Sequence, residues 1–246
     1  MIAIGILGYG SRAPSAETLA LLANHPEVCA LLIVWNAPNT EVSAILHRLN
    51  QAAPKTVIIE NTENLGSAGG YKCLIEHFRN YEHSEYLFLL DDDLQPKPDC
   101  IDKLLHAAHS LSSPLDNTLL LAYRPKLPEM HDLVSKKIGI CRPKPGACVA
   151  FHFMNLIKQH REPVDYCENE LAFSIESATW GGLLIPRAAL PRLGLPREDF
   201  FLYAEDSELT YRFTQNGGKI FLVPDAEITD TEPAWNTVGG NISNLR

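Results

Sequence analysis

The first half of the 246-residue chain alternates short apolar runs with segments of helical periodicity. Four of the runs have the composition and length of β-strands: residues 2–7, 28–35, 56–60 and 86–90. The segments between them carry apolar side chains three and four residues apart: residues 15–24, 40–50 and 69–80. Strands that alternate with helices pair in parallel, because each helix crosses one face of the sheet before the next strand begins. We therefore predict an α/β fold with a mostly parallel central sheet flanked by helices.

The second half keeps this alternation after one interruption. Residues 124–148 contain four prolines and six of the 21 lysines and arginines, which predicts a long basic surface loop. A solvated connection is the simpler interpretation of that loop, and a flap over phosphates or an anionic acceptor is the alternative. Strands are predicted at residues 150–154, 182–185 and 219–223, with a helix over 205–216. No linker or repeat divides the chain, so residues 1–246 are expected to form a single domain.

The charge balance and the cysteines restrict the partners and the compartment. The formal charge of −9 argues against nucleic acid as the main partner, because the phosphate backbone would be repelled. The six cysteines contain no C-x-x-C pair, which is typical of reduced thiols in a cytoplasmic protein. No apolar run approaches the ~18 residues that span a bilayer, and the first run lacks the basic leader of a signal peptide. We expect a soluble cytoplasmic protein, for which a peripheral contact with the inner face of the membrane stays open.

Three consecutive aspartates, Asp91, Asp92 and Asp93, directly follow the apolar run 86–90. In open α/β sheets ligands bind beyond the carboxyl ends of the strands, so these carboxylates lie where a site is expected. Adjacent carboxylates repel one another without a cation, and Mg²⁺ or Mn²⁺ prefers carboxylate oxygens while sharing its shell with substrate phosphates. The spacing therefore favours a divalent metal that bridges a diphosphate, and a solvated acidic turn is the alternative.

A glycine-rich turn and an acidic pair are the other two candidates. Residues 64–70 contain three glycines before a predicted helix, which lets the backbone approach a nucleotide or sugar closely. A flexible turn without a ligand explains the same glycines. Glu205 and Asp206 follow the apolar residues 200–203 and begin a helical pattern. Acidic residues also stabilise the N-terminus of a helix, so capping alone is the alternative to a catalytic role.

The order of these motifs resembles glycosyltransferase family 2. The residues that carry the resemblance are 64–66 with 68–70, 90–93, 180–182 with 185–186, and 201–209. The resemblance extends from about the first strand to Asp230, which is nearly the whole chain, and it is nearest in character to the rhamnosyl and galactofuranosyl transferases. Each motif is weak alone, but their order and spacing together are specific. The resemblance implies an inverting enzyme with a GT-A fold.

The implied reaction is the metal-dependent transfer of a sugar from a nucleotide diphosphate donor to an acceptor hydroxyl, in cell-surface polysaccharide or glycoconjugate synthesis. Asp91 and Asp93 correspond to the carboxylates that hold Mn²⁺ or Mg²⁺ against the donor diphosphate. Asp92 corresponds to a neighbour that faces the nucleoside or the sugar. Asp206 corresponds to the general base that deprotonates the acceptor hydroxyl, and Glu205 to a residue that orients donor or acceptor hydroxyls.

The same resemblance assigns the remaining contacts. Residues up to about 93 would form the nucleotide-sugar half and residues 94–246 the acceptor half. The expected donor contacts are Asn36, Asn64, Gly66, Gly69 and Gly70, and the expected acceptor contacts are Trp180, Gly181 and Gly182. The acceptor is a glycan, a lipid-linked compound or another hydroxyl compound. Residues 124–148 and 231–246 are expected to determine which acceptor binds, because the residues that determine binding specificity are often found in loops. The oligomeric state is not fixed by the sequence.

Two positions depart from the family pattern. The second strand often ends with an aspartate that contacts the nucleotide, whereas Trp35-Asn36 stands here, so the base is left open among UDP, dTDP and GDP. A histidine often provides a further metal ligand near the C-terminus, and here Asp230 occupies that place. A carboxylate also binds Mg²⁺ or Mn²⁺, so Asp230 is a candidate third ligand, with a surface aspartate as the alternative.

Three other functions remain as alternatives. Residues 8–13 fit G-x-G-x-x-A after a strand, as in NAD-dependent oxidoreductases, but no acidic residue closes the second strand to bind the ribose. A sugar nucleotidyltransferase would need a basic residue in the N-terminal loop, where Arg12 is the sole candidate, and would leave Glu205 and Asp206 unexplained. A non-catalytic nucleotide-sugar-binding module would not need both the metal carboxylates and the base.

Overall fold

The first half of the chain forms the predicted alternation of strands and helices. The computed structural model describes residues 1–10, 14–52, 55–136, 138–139, 162–163 and 171–231. Four parallel strands lie in this half: β1 (Ile2–Tyr9), β2 (Val28–Asn36), β3 (Thr56–Asn61) and β4 (Tyr86–Asp91). The helices between them are α1 (Ala16–Asn24), α2 (Thr40–Ala52) and α3 (Gly66–Asn80). The predicted α/β class is confirmed.

The second half extends the same sheet with mixed pairing. Its strands are β5 (Leu94–Pro96), β6 (Thr118–Tyr123), β7 (Ile138–Gly139), β8 (Glu162–Pro163), β9 (Phe173–Ile175), β10 (Leu183–Pro186) and β11 (Lys219–Asp230). Its helices are α4 (Cys100–Ser110), α5 (Pro128–Lys136), α6 (Leu190–Leu193) and α7 (Glu205–Gln215). The main sheet has the order β3-β2-β1-β4-β10-β6-β11-β5, with β9 also on β11, while β7 and β8 pair separately. Strand β10 runs antiparallel to both β4 and β6, and β6 runs parallel to β11.

Helices cover both faces of the sheet. Successive side chains of β1 belong to different cores: Ile4 packs in the core shared with α1, α2 and α4, whereas Ala3 packs in the core shared with α3 and α7. Because β1 is buried on both faces, it has the continuous apolar composition of a central parallel strand. The molecule is therefore a three-layer α/β/α arrangement in which α3 and α7 lie on the same face.

Helix α3 begins earlier than the sequence predicts, at Gly66 rather than at residue 69 or 71. The Asn64 side chain accepts a hydrogen bond from the Gly66 amide at 2.9 Å, and the Ala68 amide donates to the Phe201 carbonyl at 3.2 Å. These contacts satisfy amides at the helix start that have no intrahelical partner. The glycine-rich turn is thus the first turn of the helix, which corrects the prediction that the helix follows it.

The predicted loop over residues 124–148 is wrong in its central part, where α5 forms. Pro128 occupies the first helical position, where its missing amide hydrogen costs nothing. Met130 and Leu133, one turn apart, are buried against the sheet side that carries α3. Two apolar contacts at helical spacing therefore outweigh the prolines and charges. Residue 137 and residues 140–148 of that stretch, like the predicted strand 150–154, lie outside the described residues.

Strand β11 is longer than predicted and reaches the carboxyl edge of the sheet. Its pairing with β6 shifts between Val223 and Glu227, so Pro224 falls at an irregularity where a proline is tolerated. The strand then continues beside β5, where Asp230 pairs with Leu94. The bulge therefore brings Asp230 next to the aspartates that follow β4. None of the helices in the described part of the chain is long and apolar enough to cross a membrane.

Candidate active site

The carboxyl ends of β1, β2 and β4 place several predicted residues at one edge of the sheet. Asn36 at the end of β2 lies beside Tyr9 at the end of β1, and Asp91 at the end of β4 lies beside Leu7. Helix α3 begins at this edge, and the Thr231 amide donates to the Asp93 carbonyl at 2.8 Å. The fold thus brings the glycine-rich turn of residues 64–70, the aspartates and the end of β11 together.

Asp91 lies among polar groups, of which the Tyr71 hydroxyl and the Arg124 guanidinium were not predicted from the sequence. Its Oδ1 accepts a short hydrogen bond from the Tyr71 hydroxyl of α3. Burial raises the pKa of Asp91 above its ordinary value, and the charge of Asp93 raises it further, whereas the Tyr71 hydrogen bond and the Arg124 charge lower it. The carboxylate is therefore under opposing influences, and a nearby cation would favour its charged form.

Gly181 leaves room for three side chains, those of Asp91, Leu94 and Arg124, to lie close together. A Cβ atom at this position would lie 2.7 Å from Asp91 Oδ2, 2.5 Å from Leu94 Cδ1 and 3.2 Å from Arg124 Nη1. Any side chain would displace the carboxylate or the guanidinium. The predicted contact of Gly181 with an acceptor is untested, but its lack of a side chain has a clear structural reason.

Asp230, the candidate third metal ligand, is buried and forms an ion pair with Arg124. The Arg124 guanidinium donates a short hydrogen bond to Asp230 Oδ1, and Lys126 Nζ donates to the Asp230 carbonyl at 2.9 Å. Arg124 directly follows β6, so a basic residue at a strand end was the signal for this contact. No group of three or more His, Cys, Asp or Glu in the described ranges is arranged to hold a metal.

Glu205 begins α7 and is held by two donors from other segments. Its Oε1 accepts hydrogen bonds from the Ser67 hydroxyl and, at 3.2 Å, from the Trp180 indole N–H. Glu205 is 3% exposed, and its Oε2 is buried with no hydrogen-bond partner among the residues that the structure describes. A buried carboxylate oxygen without a partner is costly, so it is suited to accept a hydrogen bond from a hydroxyl that enters the site.

Asp206 follows in the first turn of α7 and has the clearest pKa perturbation among the candidate residues. Burial raises its pKa to about 6, and the neighbouring charge of Glu205 contributes, while hydrogen bonds from Ser207 oppose the shift. The Ser207 hydroxyl donates to Asp206 Oδ1 at 3.1 Å. A carboxylate with this pKa takes up a proton far more readily near neutral pH than an ordinary aspartate does.

Trp180 packs against Tyr71 of α3 and donates a hydrogen bond to Glu205. Its ring stacks on Tyr71 with ring centroids 4.6 Å apart and an interplanar angle of 20°. Both side chains are almost fully buried. That Trp180 lines the acceptor end stays a prediction. The structure shows its side chain buried between segments, in contact with Tyr71 and Glu205.

The predicted donor contacts near α3 also have packing roles. The Asn36 amide is buried, donates to the Gly66 carbonyl at 2.9 Å and accepts from Asn61 at 2.9 Å. A Cβ atom at Gly66 would lie 2.0 Å from the Phe201 carbonyl oxygen, and one at Gly70 would lie 2.4 Å from Leu7. A Cβ atom at Gly69 would lie 2.6 Å from Leu65, and Gly182 has a φ of +97°. Contacts of these residues with a donor or acceptor remain predictions.

The loop before α7 exposes apolar side chains at the edge of the site. Phe201, Leu202 and Tyr203 are 48%, 42% and 70% exposed. Phe201, Tyr203 and Ala204 also adopt positive φ angles, which residues with a Cβ atom rarely do. Such conformations persist only where surrounding contacts enforce them, and here the Phe201 carbonyl caps α3.

Comparisons with known proteins agree with this architecture. A family model described as "Glycosyltransferase like family 2" matches residues 6–239 of the chain. The galactofuranosyltransferase GlfT2 of Mycolicibacterium smegmatis is 25% identical over 236 residues, which cover 92% of this chain. The chain spans 36% of that relative's length.

Solved structures support the same fold at low sequence identity. GalNAc-T7, solved with UDP, GalNAc and Mn²⁺, is 13% identical with a TM-score of 0.62 over 93% of this chain and 43% of its own. The mannosyltransferase PcManGT of Pyrobaculum calidifontis, solved with GDP-Man and Mn²⁺, is 16% identical with a TM-score of 0.54 over 94% of this chain and 57% of its own. The GT-A-like fold is thereby confirmed. Because the family model matches nearly the whole chain, the protein belongs to the glycosyltransferase-like family 2.

Proposed function

We propose that the protein is a metal-dependent, inverting glycosyltransferase that moves a sugar from a nucleotide diphosphate donor to an acceptor hydroxyl. The observation that carries this proposal is that α3 contacts both Asp91 and Glu205, so the aspartates after β4 and the acidic pair at the start of α7 lie at one site. Burial there raises the pKa of the partly buried Asp206 carboxyl to about 6. A general base acts best when its pKa lies near the operating pH. Family membership supports the reaction class.

Asp206 is the proposed base. Its carboxylate accepts the proton of the acceptor hydroxyl while that oxygen attacks the anomeric carbon of the donor sugar. The bond between this carbon and the diphosphate oxygen breaks, and the electron pair leaves with the nucleoside diphosphate. Because attack and departure occur on opposite faces of the carbon, the configuration inverts. Glu205 Oε2, which has no hydrogen-bond partner in the described part of the chain, is proposed to accept a hydrogen bond from a sugar hydroxyl and so orient it.

Asp91 and Asp93 are proposed to hold Mn²⁺ or Mg²⁺. The charge of Asp93 raises the pKa of Asp91, so the two carboxylates destabilise each other's charged form and a cation would relieve this. These metals usually bind through one or two carboxylates together with substrate phosphates, so this donor set fits them. When bound, such a metal neutralises the charge that develops on the leaving diphosphate. Asp230 could join as a third ligand only if its ion pair with Arg124 rearranged.

The donor is proposed to be a UDP, dTDP or GDP sugar that lies at the carboxyl edge of β1, β2 and β4. GalNAc-T7 and PcManGT, which share the fold, were solved with UDP and with GDP-Man, each with Mn²⁺. We retain Asn36, Asn64, Gly66, Gly69, Gly70 and Asp92 as proposed donor contacts. We also retain the division into a nucleotide-sugar half up to about residue 93 and an acceptor half after it.

A cytoplasmic location is likewise proposed. It is supported by the thiols of Cys29, Cys73 and Cys100, which are free in the structure.

The oxidoreductase alternative loses part of its support. A Cβ atom at Gly8 would lie 2.0 Å from the Trp35 ring, so the packing of β1 on Trp35 explains this glycine without a dinucleotide. The end of β2 is Asn36, whose amide is already bound to Gly66 and Asn61. Residues 11–13 of the fingerprint, with the Arg12 that a nucleotidyltransferase would use, lie outside the described residues.

The test is calorimetric titration with UDP, dTDP and GDP, in Mn²⁺ or in EDTA. We expect at least one nucleotide to bind in Mn²⁺ only, and Asp93→Ala to weaken that binding at least tenfold. The control is Asp225→Ala, which removes an exposed carboxylate from β11 and should bind like the wild type.

Mn²⁺-dependent release of nucleoside diphosphate from the corresponding donor sugar then separates an enzyme from a binding module. Equal nucleotide binding in Mn²⁺ and EDTA, or tight binding of NAD instead, would contradict the proposal.

A further inference from the structure

Helix α3 presents two hydroxyl groups to the two acidic ends of the site. Ser67 and Tyr71 are four residues apart, so they lie on one face of the helix, one turn above the other. The Ser67 hydroxyl donates to Glu205 Oε1, and the Tyr71 hydroxyl donates to Asp91 Oδ1. One helical turn therefore contacts both the strand that carries the aspartates and the helix that carries the proposed base.

Trp180 completes this connection. Its ring stacks on Tyr71, and its indole N–H donates to the same Glu205 oxygen that Ser67 contacts. The tyrosine, the tryptophan and the glutamate are each at most 3% exposed. The ring stack, together with these hydrogen bonds, fixes the rotamers of all three side chains, because a buried stacked pair leaves little rotational freedom.

The consequence for Glu205 is a fixed orientation. Two donors converge on Oε1, so the carboxylate plane is set by protein contacts. For Oε2, the described ranges of the chain contain no hydrogen-bond partner. The consequence for Asp91 is similar, since Tyr71 contacts Oδ1 while Oδ2 lies beside Gly181. In each carboxylate, a hydroxyl of α3 therefore holds one oxygen and so sets the position of the other.

We propose that Ser67 and Tyr71 are positioning residues, Tyr71 for the proposed metal-binding carboxylate Asp91 and Ser67 for the proposed hydroxyl-orienting carboxylate Glu205. The inference rests on the proposed function, because it assigns these hydroxyls to the donor and acceptor ends of that site. Outer contacts of this kind orient the residues that touch metal or substrate, and their removal typically costs about 10–100-fold in metal affinity or activity.

The first test is Tyr71→Phe, which keeps the stacked ring and removes only the hydroxyl. We expect the affinity of Mn²⁺ and of the nucleotide that the wild type binds in Mn²⁺ to fall about tenfold. Calorimetry measures the nucleotide, and the spectroscopic signal of free Mn²⁺ measures the metal directly. The matched control is Tyr86→Phe, which removes the hydroxyl of a buried tyrosine on β4 that contacts His109 instead.

The second test is Ser67→Ala. Nucleotide affinity in Mn²⁺ should stay within about twofold of the wild type, whereas release of nucleoside diphosphate from the donor sugar should slow about tenfold. Ser43→Ala is the matched control, since the Ser43 hydroxyl on α2 also donates to a glutamate, Glu60, in another part of the chain. A loss confined to the Ser67 variant separates positioning from the general cost of removing a serine-to-glutamate hydrogen bond.

The outcomes distinguish this inference from the proposed function. If the wild type binds no nucleoside diphosphate in a metal-dependent way, the proposed function fails and the inference fails with it. If the wild type binds but Tyr71→Phe keeps wild-type metal and nucleotide affinity, the positioning role of Tyr71 alone is overturned. Wild-type turnover in Ser67→Ala, or equal losses in Ser67→Ala and Ser43→Ala, would overturn that of Ser67.

Discussion

The two acidic regions of the site use similar residues in different surroundings. Asp91 ends a buried strand, where burial raises its pKa while the Tyr71 hydroxyl and the Arg124 charge oppose that shift. Asp206 begins a helix, where burial and the charge of Glu205 raise its pKa to about 6. Carboxylates whose environments differ in this way take different chemical roles. This difference supports the proposed assignment of cation binding to the end of β4 and of proton transfer to the start of α7.

The largest expected effect is that of Asp206→Asn. Loss of a general base should lower the rate of nucleoside diphosphate release about 10²–10⁴-fold, because the acceptor hydroxyl then keeps its proton. Steady-state kinetics with the donor sugar that the wild type uses measures this. Asp225→Asn, an exposed aspartate, is the control and should keep wild-type turnover. A variant that retains more than a tenth of the rate would show that Asp206 is not the base.

The second prediction concerns the contact between α3 and the loop before α7, which runs through Gly66 and Phe201. Gly66→Ala requires an unfavourable φ of +66° and places a Cβ atom 2.0 Å from the Phe201 carbonyl oxygen. We expect the free energy of unfolding to fall by about 2–4 kcal/mol, from the sum of conformational strain and overpacking. Urea denaturation measures this value.

The control for Gly66 is Gly217→Ala. Gly217 also has a positive φ, +83°, but a Cβ atom there would have its nearest neighbour at 3.9 Å. Its substitution should cost only about 1 kcal/mol, the strain alone. Equal losses of unfolding free energy in the two variants would show that the close approach of Phe201 adds nothing to the cost of a side chain at position 66.

The smallest expected effect is the pH dependence of stability at Asp206. Since its folded pKa of about 6 exceeds the ordinary value of 3.8, the folded state binds more protons than the unfolded state between these values. The charged form of Asp206 therefore lowers the free energy of unfolding. This loss is complete above about pH 6 and is absent at pH values well under 3.8. Asp206→Asn should raise the melting temperature at pH 8 by roughly 2–6 °C, and this gain should shrink as the pH falls from 6 to 4. A gain that is the same at pH 8 and pH 4 would contradict the raised pKa.

The parallel half of the sheet was readable from the sequence because its strands are buried on both faces. Such strands are continuous apolar runs, so β1, β2 and β4 were predicted to within one or two residues. The start of α3 was not, because the conformation of Gly66 depends on Phe201, a residue far along the chain. Helix α5 was missed because prolines and basic residues are concentrated in the stretch 124–148 that contains it, while the buried apolar residues that anchor it are Met130 and Leu133.

The sequence predicted residues of the candidate site only where several acidic groups occur together in a short motif. Three aspartates after a strand, and Glu205-Asp206 before a helix, indicate acidic groups at element ends without knowledge of their partners. Ser67 and Tyr71 carried no comparable signal, and Arg124 was marked only by its place directly after β6. Their roles follow from contacts between segments that are remote in the sequence, which local periodicity does not encode.

The most direct test of the division of labour compares nucleoside diphosphate affinity in Asp93→Ala and Asp206→Asn in the same Mn²⁺ titration. Asp93→Ala should lose Mn²⁺-dependent binding by at least tenfold, whereas Asp206→Asn should bind within about twofold of the wild type. Equal loss of binding in both variants would contradict the assignment of metal binding to the β4 end and proton transfer to α7.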